Sequence, residues 1–189
     1  GDVYKRQEAI LYNSLYKMFF DMFSLLVQDF RRYAKDGYFN CFEPSLLCIF
    51  LYRIGHSILH IKILPLRFLL TIIHLPFFLI FNTLIGIHIP RSCKIGGGLR
   101  IYHYGCIIVN PDTVMGYGCT LRQGVTIGTK CFDHDVPVIG NNVEFGAGCK
   151  VLGDIVIGNN VVIGANAVVL CDVPDNAIAV GVPARVIKK

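Results

Sequence analysis

From Met115 onward an aliphatic residue recurs every six positions, and few folds tolerate that period. Stepping by six gives Met115, Leu121, Ile127, Asp133, Ile139, Phe145, Val151, Ile157, Ile163 and Val169, and nine of these ten are apolar. Glycine follows directly at 116, 128, 140, 146, 158 and 164. Four residues after the aliphatic position stands a small or β-branched residue: Cys119, Val125, Cys131, Val143, Cys149, Ile155, Val161 and Ala167. An earlier run, Ile95, Ile101 and Ile107, keeps the same step but is displaced by two residues.

A six-residue unit is too short for a helical repeat or a propeller blade. It accommodates one short strand and one turn. Three units close a triangular coil, and stacked coils make a parallel β-helix whose aliphatic side chains fill the axis. The small residue suits the tight corner, and glycine is expected to supply the turn geometry. On this register Cys119, Cys131 and Cys149 point inward as core filler, and Cys131 and Cys149, one coil apart, could stack closely. Asp133 breaks the pattern. A carboxylate in a dry core is too costly without partners, so the chain is expected to leave the coil between Thr129 and Val136, carrying His134 outward.

The two halves of the chain differ in character. Residues 8–90 are expected to form an apolar helical region, and residues 91–187 the β-helix. The first helix should stop near Gly37, and the next should start near Pro44, which suits an opening turn. The span Phe68–Ile87 carries no formal charge apart from a protonatable His74, and it is about as long as a membrane-crossing helix. Pro76 lies in its middle, followed by Asn82 and Thr83. A helical hairpin packed against neighbouring subunits is the first reading of this region, and peripheral membrane contact through residues 61–90 is the second.

Composition narrows the function. The apolar fraction is 53%, charged residues make up 16%, and the net charge is +5. A mild positive charge suits an anionic ligand such as a phosphorylated cofactor, or an acidic membrane surface. No basic stripe or nucleic-acid motif is present, so nucleic acid is not expected as a partner. Eight cysteines occur without a CxxC pair, so neither zinc nor any other metal is expected. A secretion leader is not expected, because no charged stretch, apolar core and small-residue cleavage site stand together in the first residues. Reduced thiols and a cytoplasmic location, with membrane association as an option, are the expectation.

The segment LRIYHYGCIIVN, residues 99–110, places His103 on a strand-like stretch. Together with KIGGGLRIYHYG, the segments LRQGVTIG, FGAGCKVLGDIVIGNNVVIGANAVVL and DVPDNAIAVGVPARV resemble the hexapeptide-repeat acyltransferases, most closely the serine acetyltransferase branch. YRIGHSIL resembles the helix that precedes the coil in that branch, and His56 within it is read as structural. The resemblance implies a mainly β protein, a left-handed parallel β-helix with an α-helical N-terminal region. It also implies a homotrimer with active sites between subunits, and acetyl transfer from acetyl-CoA directly to a hydroxyl on a small-molecule acceptor.

On that match His103 corresponds to the catalytic base, and His134 to a second active-site histidine. Ala147 and Ala165 correspond to positions lining the pantetheine and adenine groove. Gly128, Lys150, Gly181 and Arg185 are assigned to the cofactor, with the two cations meeting phosphates. Tyr102 stands where the family has an acceptor-binding aspartate, and His88 where it has an aspartate that orients the base. Both are assigned to the acceptor. These departures leave two acceptors in view: L-serine, as in cysteine synthesis, and a saccharide hydroxyl in capsule or exopolysaccharide assembly. A zinc-dependent carbonic anhydrase on the same coil would need His88, His103 and His134 to converge, and their spacing does not repeat by coils. A purely structural solenoid would use none of them.

Overall fold

The computed structural model describes residues 2–35, 43–131 and 135–188. Three helices come first: α1 (Asp2–Lys35), α2 (Pro44–Leu59) and α3 (Leu64–Ile85). Pro44 opens α2 as expected, with no N–H to waste in the first turn. Gly37 lies outside the described residues. Gly86 ends α3 in the left-handed conformation at φ 69°, which glycine adopts without strain.

The chain then winds through five coils. The first holds β1 (Ile87–His88), β2 (Lys94–Ile95) and β3 (Arg100–Tyr102). The second holds β4 (Ile107–Val109), β5 (Val114–Met115) and β6 (Thr120–Arg122), and the third β7 (Thr126–Gly128), β8 (Val138–Ile139) and β9 (Glu144–Phe145). The fourth holds β10 (Lys150–Leu152), β11 (Val156–Ile157) and β12 (Val162–Ile163), and the last β13 (Val168–Val169) and β14 (Ala177–Gly181). Strand β15 (Ala184–Lys188) folds back antiparallel on β14. Parallel pairing makes three faces: β1-β4-β7-β10-β13, then β2-β5-β8-β11, then β3-β6-β9-β12-β14. This is the left-handed parallel β-helix that the period implies.

The inward row is apolar as the period requires. Met115, Leu121, Ile127, Ile139, Phe145, Val151, Ile157, Ile163 and Val169 are all buried. The glycines after them serve a different need from the one expected. A Cβ on Gly146 would sit 2.5 Å from the Ala165 nitrogen, and one on Gly140 2.8 Å from the Gly158 carbonyl carbon. Space between coils excludes side chains there, with Gly128 the exception. The left-handed corners fall elsewhere, including Asn142, Asn160, Asn166 and Asn176 at φ 53–58°. Asparagine tolerates this region, and Asn142, Asn160 and Asn176 bond amide to amide in a ladder, each step 3.1 Å.

Cys131 is a correction. Cys119 and Cys149 are fully buried, but Cys131 is exposed, and all three are free thiols. Between the third coil and the second the register jumps: Met115 pairs with Ile139, a spacing of 24, whereas Ile139 pairs with Ile157 at 18. The extra six residues fall between β7 and β8, and Cys131 is among them. Cys149 therefore belongs to the row that contains Val125, and it does not stack on Cys131. Asp133 and His134 lie outside the described residues.

A β-helix has an open end wherever the first coil lacks a neighbour, and its unpaired backbone groups need partners. Here the helices supply them. Tyr52 Oη donates to the Cys93 carbonyl (2.8 Å) and accepts from the Ile95 N–H (3.3 Å). Tyr33 Oη donates to the Ile101 carbonyl (3.3 Å) and accepts from the Ile101 N–H (3.2 Å). Arg53 donates from Nη1 to the Ile95 carbonyl and from Nη2 to that of Gly96. Its Nε and Nη2 also grip Asp29 at 2.9 and 3.1 Å, and Asp29 accepts from the Leu99 N–H at 2.8 Å. Both side chains of this pair are at most 1% exposed.

Candidate active site

Besides a loss of two residues after β13, where Ile163 pairs with Ala179 only 16 on, two places break the stacking register by insertion, and both carry a histidine in the sequence. One is the six-residue excursion after β7. The other lies between β3 and β4. Ile101 pairs with Leu121, 20 residues on, but Val109 pairs with Ile127, only 18 on. The corner that carries His103 therefore holds two more residues than the equivalent corner of the next coil. This is the physical origin of the two-residue displacement of the earlier hexapeptide run. The enlarged corner is tightly folded: His103, Gly105 and Cys106 have φ of 60°, 110° and 54°. His103 is exposed there.

The His103 cavity is lined by Glu43, Arg100, Ile101, Tyr102 and Arg122 as well. Tyr102 is half-buried, with the Arg100 guanidinium 4.5 Å and that of Arg122 5.1 Å from its ring centroid. Arg100 also stacks on Tyr33 at 3.9 Å, so this buried cation is wedged between two rings. Glu43, Arg100 and Arg122 were not singled out from the sequence. Arg122 becomes a neighbour of Tyr102 only through the 20-residue register of β3 on β6, and Glu43 reaches the corner only because α2 caps the first coil.

The corner belongs to a continuous edge between the third face and the first. Backbone bonds join its successive turns: Gly124 N–H to the Gly105 carbonyl (3.0 Å), Gly148 N–H to that of Gln123 (2.8 Å), and Asn166 N–H to that of Ala147 (2.8 Å). Ala147 is half-buried and Ala165 exposed at equivalent turns of this edge. Gly181, exposed at φ 100°, follows β14 at the corresponding position of the last coil, and Arg185 is exposed on β15 beside it. The structure thus brings His103, Ala147, Ala165 and Gly181 onto one edge. It spans four strand spacings, or roughly 19 Å.

His88, Gly128 and Lys150 sit apart from that line. His88, Ile108, Thr126, Lys150 and Val168 form the outward row of the first face by direct register. His88 and Gly128 share a cavity with Asn110, Pro111, Thr126 and Leu152, and it has no residue in common with the His103 cavity. A Cβ added to Gly128 would meet nothing within 4 Å. The Lys150 ammonium is held by the Gly124 carbonyl (2.6 Å) and Thr126 Oγ1 (2.9 Å), so it is anchored on its own face.

The buried thiols are no nucleophiles. Burial pushes Cys119 up to about 11 and Cys149 up to about 12, which keeps both protonated and inert at neutral pH.

Comparison with known proteins settles the family. A model described as bacterial transferase hexapeptide (six repeats) matches residues 137–171. The serine acetyltransferase of Synechococcus elongatus is 35% identical over 176 residues, covering 88% of this chain and 69% of that protein. The chain belongs to the hexapeptide-repeat acyltransferases. Within them it lies in the serine acetyltransferase-like branch. The Escherichia coli K12 protein WcaB, assigned to colanic acid biosynthesis as an acetyltransferase, is 44% identical over 102 residues, covering 53% of this chain. The matched segment spans 63% of WcaB. Among solved structures, a serine acetyltransferase in complex with CoA superposes with a TM-score of 0.75 at 27% identity, over 94% of this chain and 74% of that one. The His103 edge and its enlarged corner are thus features of a hexapeptide-repeat acyltransferase.

Proposed function

We propose that the chain is an acetyl-CoA-dependent O-acetyltransferase with His103 as its general base. The observation that carries this reading is the placement of His103 at the head of the edge that also displays Ala147, Ala165 and Gly181. An edge of roughly 19 Å gives an extended pantetheine arm a path that ends at an exposed imidazole. CoA bound to a relative of the same fold supports the choice of donor.

The chemistry needs no covalent enzyme intermediate. A hydroxyl attacks a thioester poorly until a base removes its proton, and neutral imidazole is suited to that near pH 7. His103 takes the proton as the acceptor oxygen bonds to the acetyl carbonyl carbon. A backbone N–H or the His134 imidazole donates to the tetrahedral oxyanion. Collapse breaks the carbon–sulfur bond, and the departing thiolate of CoA takes the proton back from His103. Arg185 is assigned to phosphate at the far end of the edge, and Lys150 to holding the first face in place.

The acceptor is read first as L-serine, which places the enzyme in cysteine synthesis in the cytoplasm. Arg122 in the His103 cavity offers a cation to a carboxylate-bearing acceptor. A saccharide hydroxyl is the second reading. It is favoured by the 44% identity to WcaB and by Tyr102 and His88 at positions where the serine-specific branch carries aspartates. A panel of serine, homoserine and mono- and oligosaccharides, with acetyl-CoA and detection of the released thiol, separates the two. Turnover of serine alone supports the first, turnover of saccharide alone the second, and no thiol release with any hydroxyl overturns acetyl transfer itself.

The two cavities lie on opposite edges of one face, too far apart in the fold to share a residue. In a homotrimer the His103 edge of one protomer would meet the Gly128 side of the next. We assign the complete site to such a seam.

A further inference from the structure

Helix α3 has its polarity reversed. Its buried residues are His74, Phe78 and Asn82, and His74 Nε2 bonds the Leu51 carbonyl at 2.9 Å. Gly55 on α2 is where the two helices close: a Cβ there would lie 2.7 Å from His74 Cε1. The outer surface is apolar. Leu64, Phe68, Leu69, Ile72, Ile73, Leu75, Phe77, Leu79, Ile80 and Leu84 are each 40–77% exposed. Only 17% of its most apolar stretch is buried. A helix of a water-soluble surface would place its polar side outward, and an apolar patch of this extent marks an interaction site.

Charge identifies what covers it. Residues 44–111 contain Arg53, Lys62, Arg67, Arg91, Lys94 and Arg100 and not one Asp or Glu. Arg53 is consumed by Asp29. Lys62 lies in the turn leading into α3, and Arg67 and Arg91 line one cavity with Leu59, Leu64, Phe68 and Thr71. Cations therefore border the N-terminal end of the apolar face, and residues 44–111 supply no acid to offset them. A second copy docked face to face would present the same cations against themselves, whereas anionic headgroups complement them.

We propose that α3 docks this protein on an anionic lipid bilayer, lying in the interface plane with Phe68, Ile72, Ile80 and their neighbours among the acyl chains and Lys62, Arg67 and Arg91 at the phosphates. At 22 residues the helix could cross a bilayer by length, about 33 Å. Crossing is prevented by α2, which holds the His74 side of α3 and is itself fastened to the first coil. The inference is independent of the acetyl-transfer reading, because its readout is lipid binding.

The chain has no tryptophan, which permits a clean probe. Phe68→Trp places the sole indole on the proposed face and Tyr117→Trp places it on a remote exposed corner. With phosphatidylcholine–phosphatidylglycerol vesicles the first should shift its emission to the blue and float with the lipid, and the second should float without a shift. Lys62→Gln with Arg67→Gln in the Phe68→Trp background should weaken binding to those vesicles about thirtyfold. Ile72→Asp with Ile80→Asp should weaken it at least about tenfold, with circular dichroism unchanged. Wild-type protein that stays with the unbound fraction at low salt overturns the proposal. So does an unshifted Phe68→Trp emission, or an Ile72→Asp, Ile80→Asp variant that floats like wild type. Dissociation of an oligomer by that variant, when wild type does not bind vesicles, would assign the face to a second copy instead.

Discussion

His103 occupies its place because two residues were added to one corner and nowhere else along that edge. The enlarged corner turns the chain through left-handed φ at His103 and Cys106 and leaves the imidazole exposed. If His103 is the base, His103→Ala lowers kcat by roughly 10²–10⁴-fold while CoA affinity stays within about twofold, measured by steady-state thiol release and by calorimetric CoA titration. Near wild-type turnover would remove it from the chemistry. The thiols give a second residue-scale prediction. Burial raises Cys48 and Cys119 to about 11 and Cys93 and Cys149 to about 12, so each is protonated at any pH well below those values. Iodoacetamide at about pH 8 should label Cys106, Cys131 and Cys171 and spare those four, as read by peptide mass spectrometry of the native protein.

At the scale of elements, much of the β-helix was legible because a six-residue period leaves almost no alternative: each inward residue stacks on its counterpart in the next coil. What escaped the sequence depends on register between distant strands. Cys131 looked inward by counting, but counting assumes that no residues have been added, and the excursion after β7 adds six. Arg122 was invisible as a neighbour of Tyr102 for the same reason. The capping of the first coil was illegible too, since Asp29, Tyr33, Tyr52 and Arg53 look like ordinary helix residues until their partners on the open edge are known. Replacing Arg53 by Leu should therefore do more than delete a surface pair. It leaves the Asp29 carboxylate buried without its cation and two backbone carbonyls unpaired, and should cost about 3–5 kcal/mol in urea unfolding. At the opposite kind of site, Asn160→Ala forces a Cβ-branch-free but still L residue to φ 55° and removes the middle of the amide ladder, for about 1–2 kcal/mol. Asn160→Gly should recover most of that loss, because glycine removes the strain and leaves only the missing bond.

The whole molecule raises a question that no single coil answers: why the two candidate cavities share no residue. The His103 edge and the Gly128 side flank one face, and a catalytic centre drawing on both must take one from each of two protomers. The fold itself provides the means of testing this. Gly128 has open space where a Cβ would go and lines a cavity, so Gly128→Leu projects into that cavity and should obstruct what lies across the cleft. His103→Ala and Gly128→Leu should each be nearly inactive. When the two are unfolded together in equal amounts and reassembled, a seam pairs an intact His103 edge with an intact Gly128 side in about one case in four. Activity should thus return to about a quarter of the wild-type value, scaling with the fraction of mixed trimers. A centre contained within one chain would recover nothing at any mixing ratio, because every chain would still carry one of the two defects.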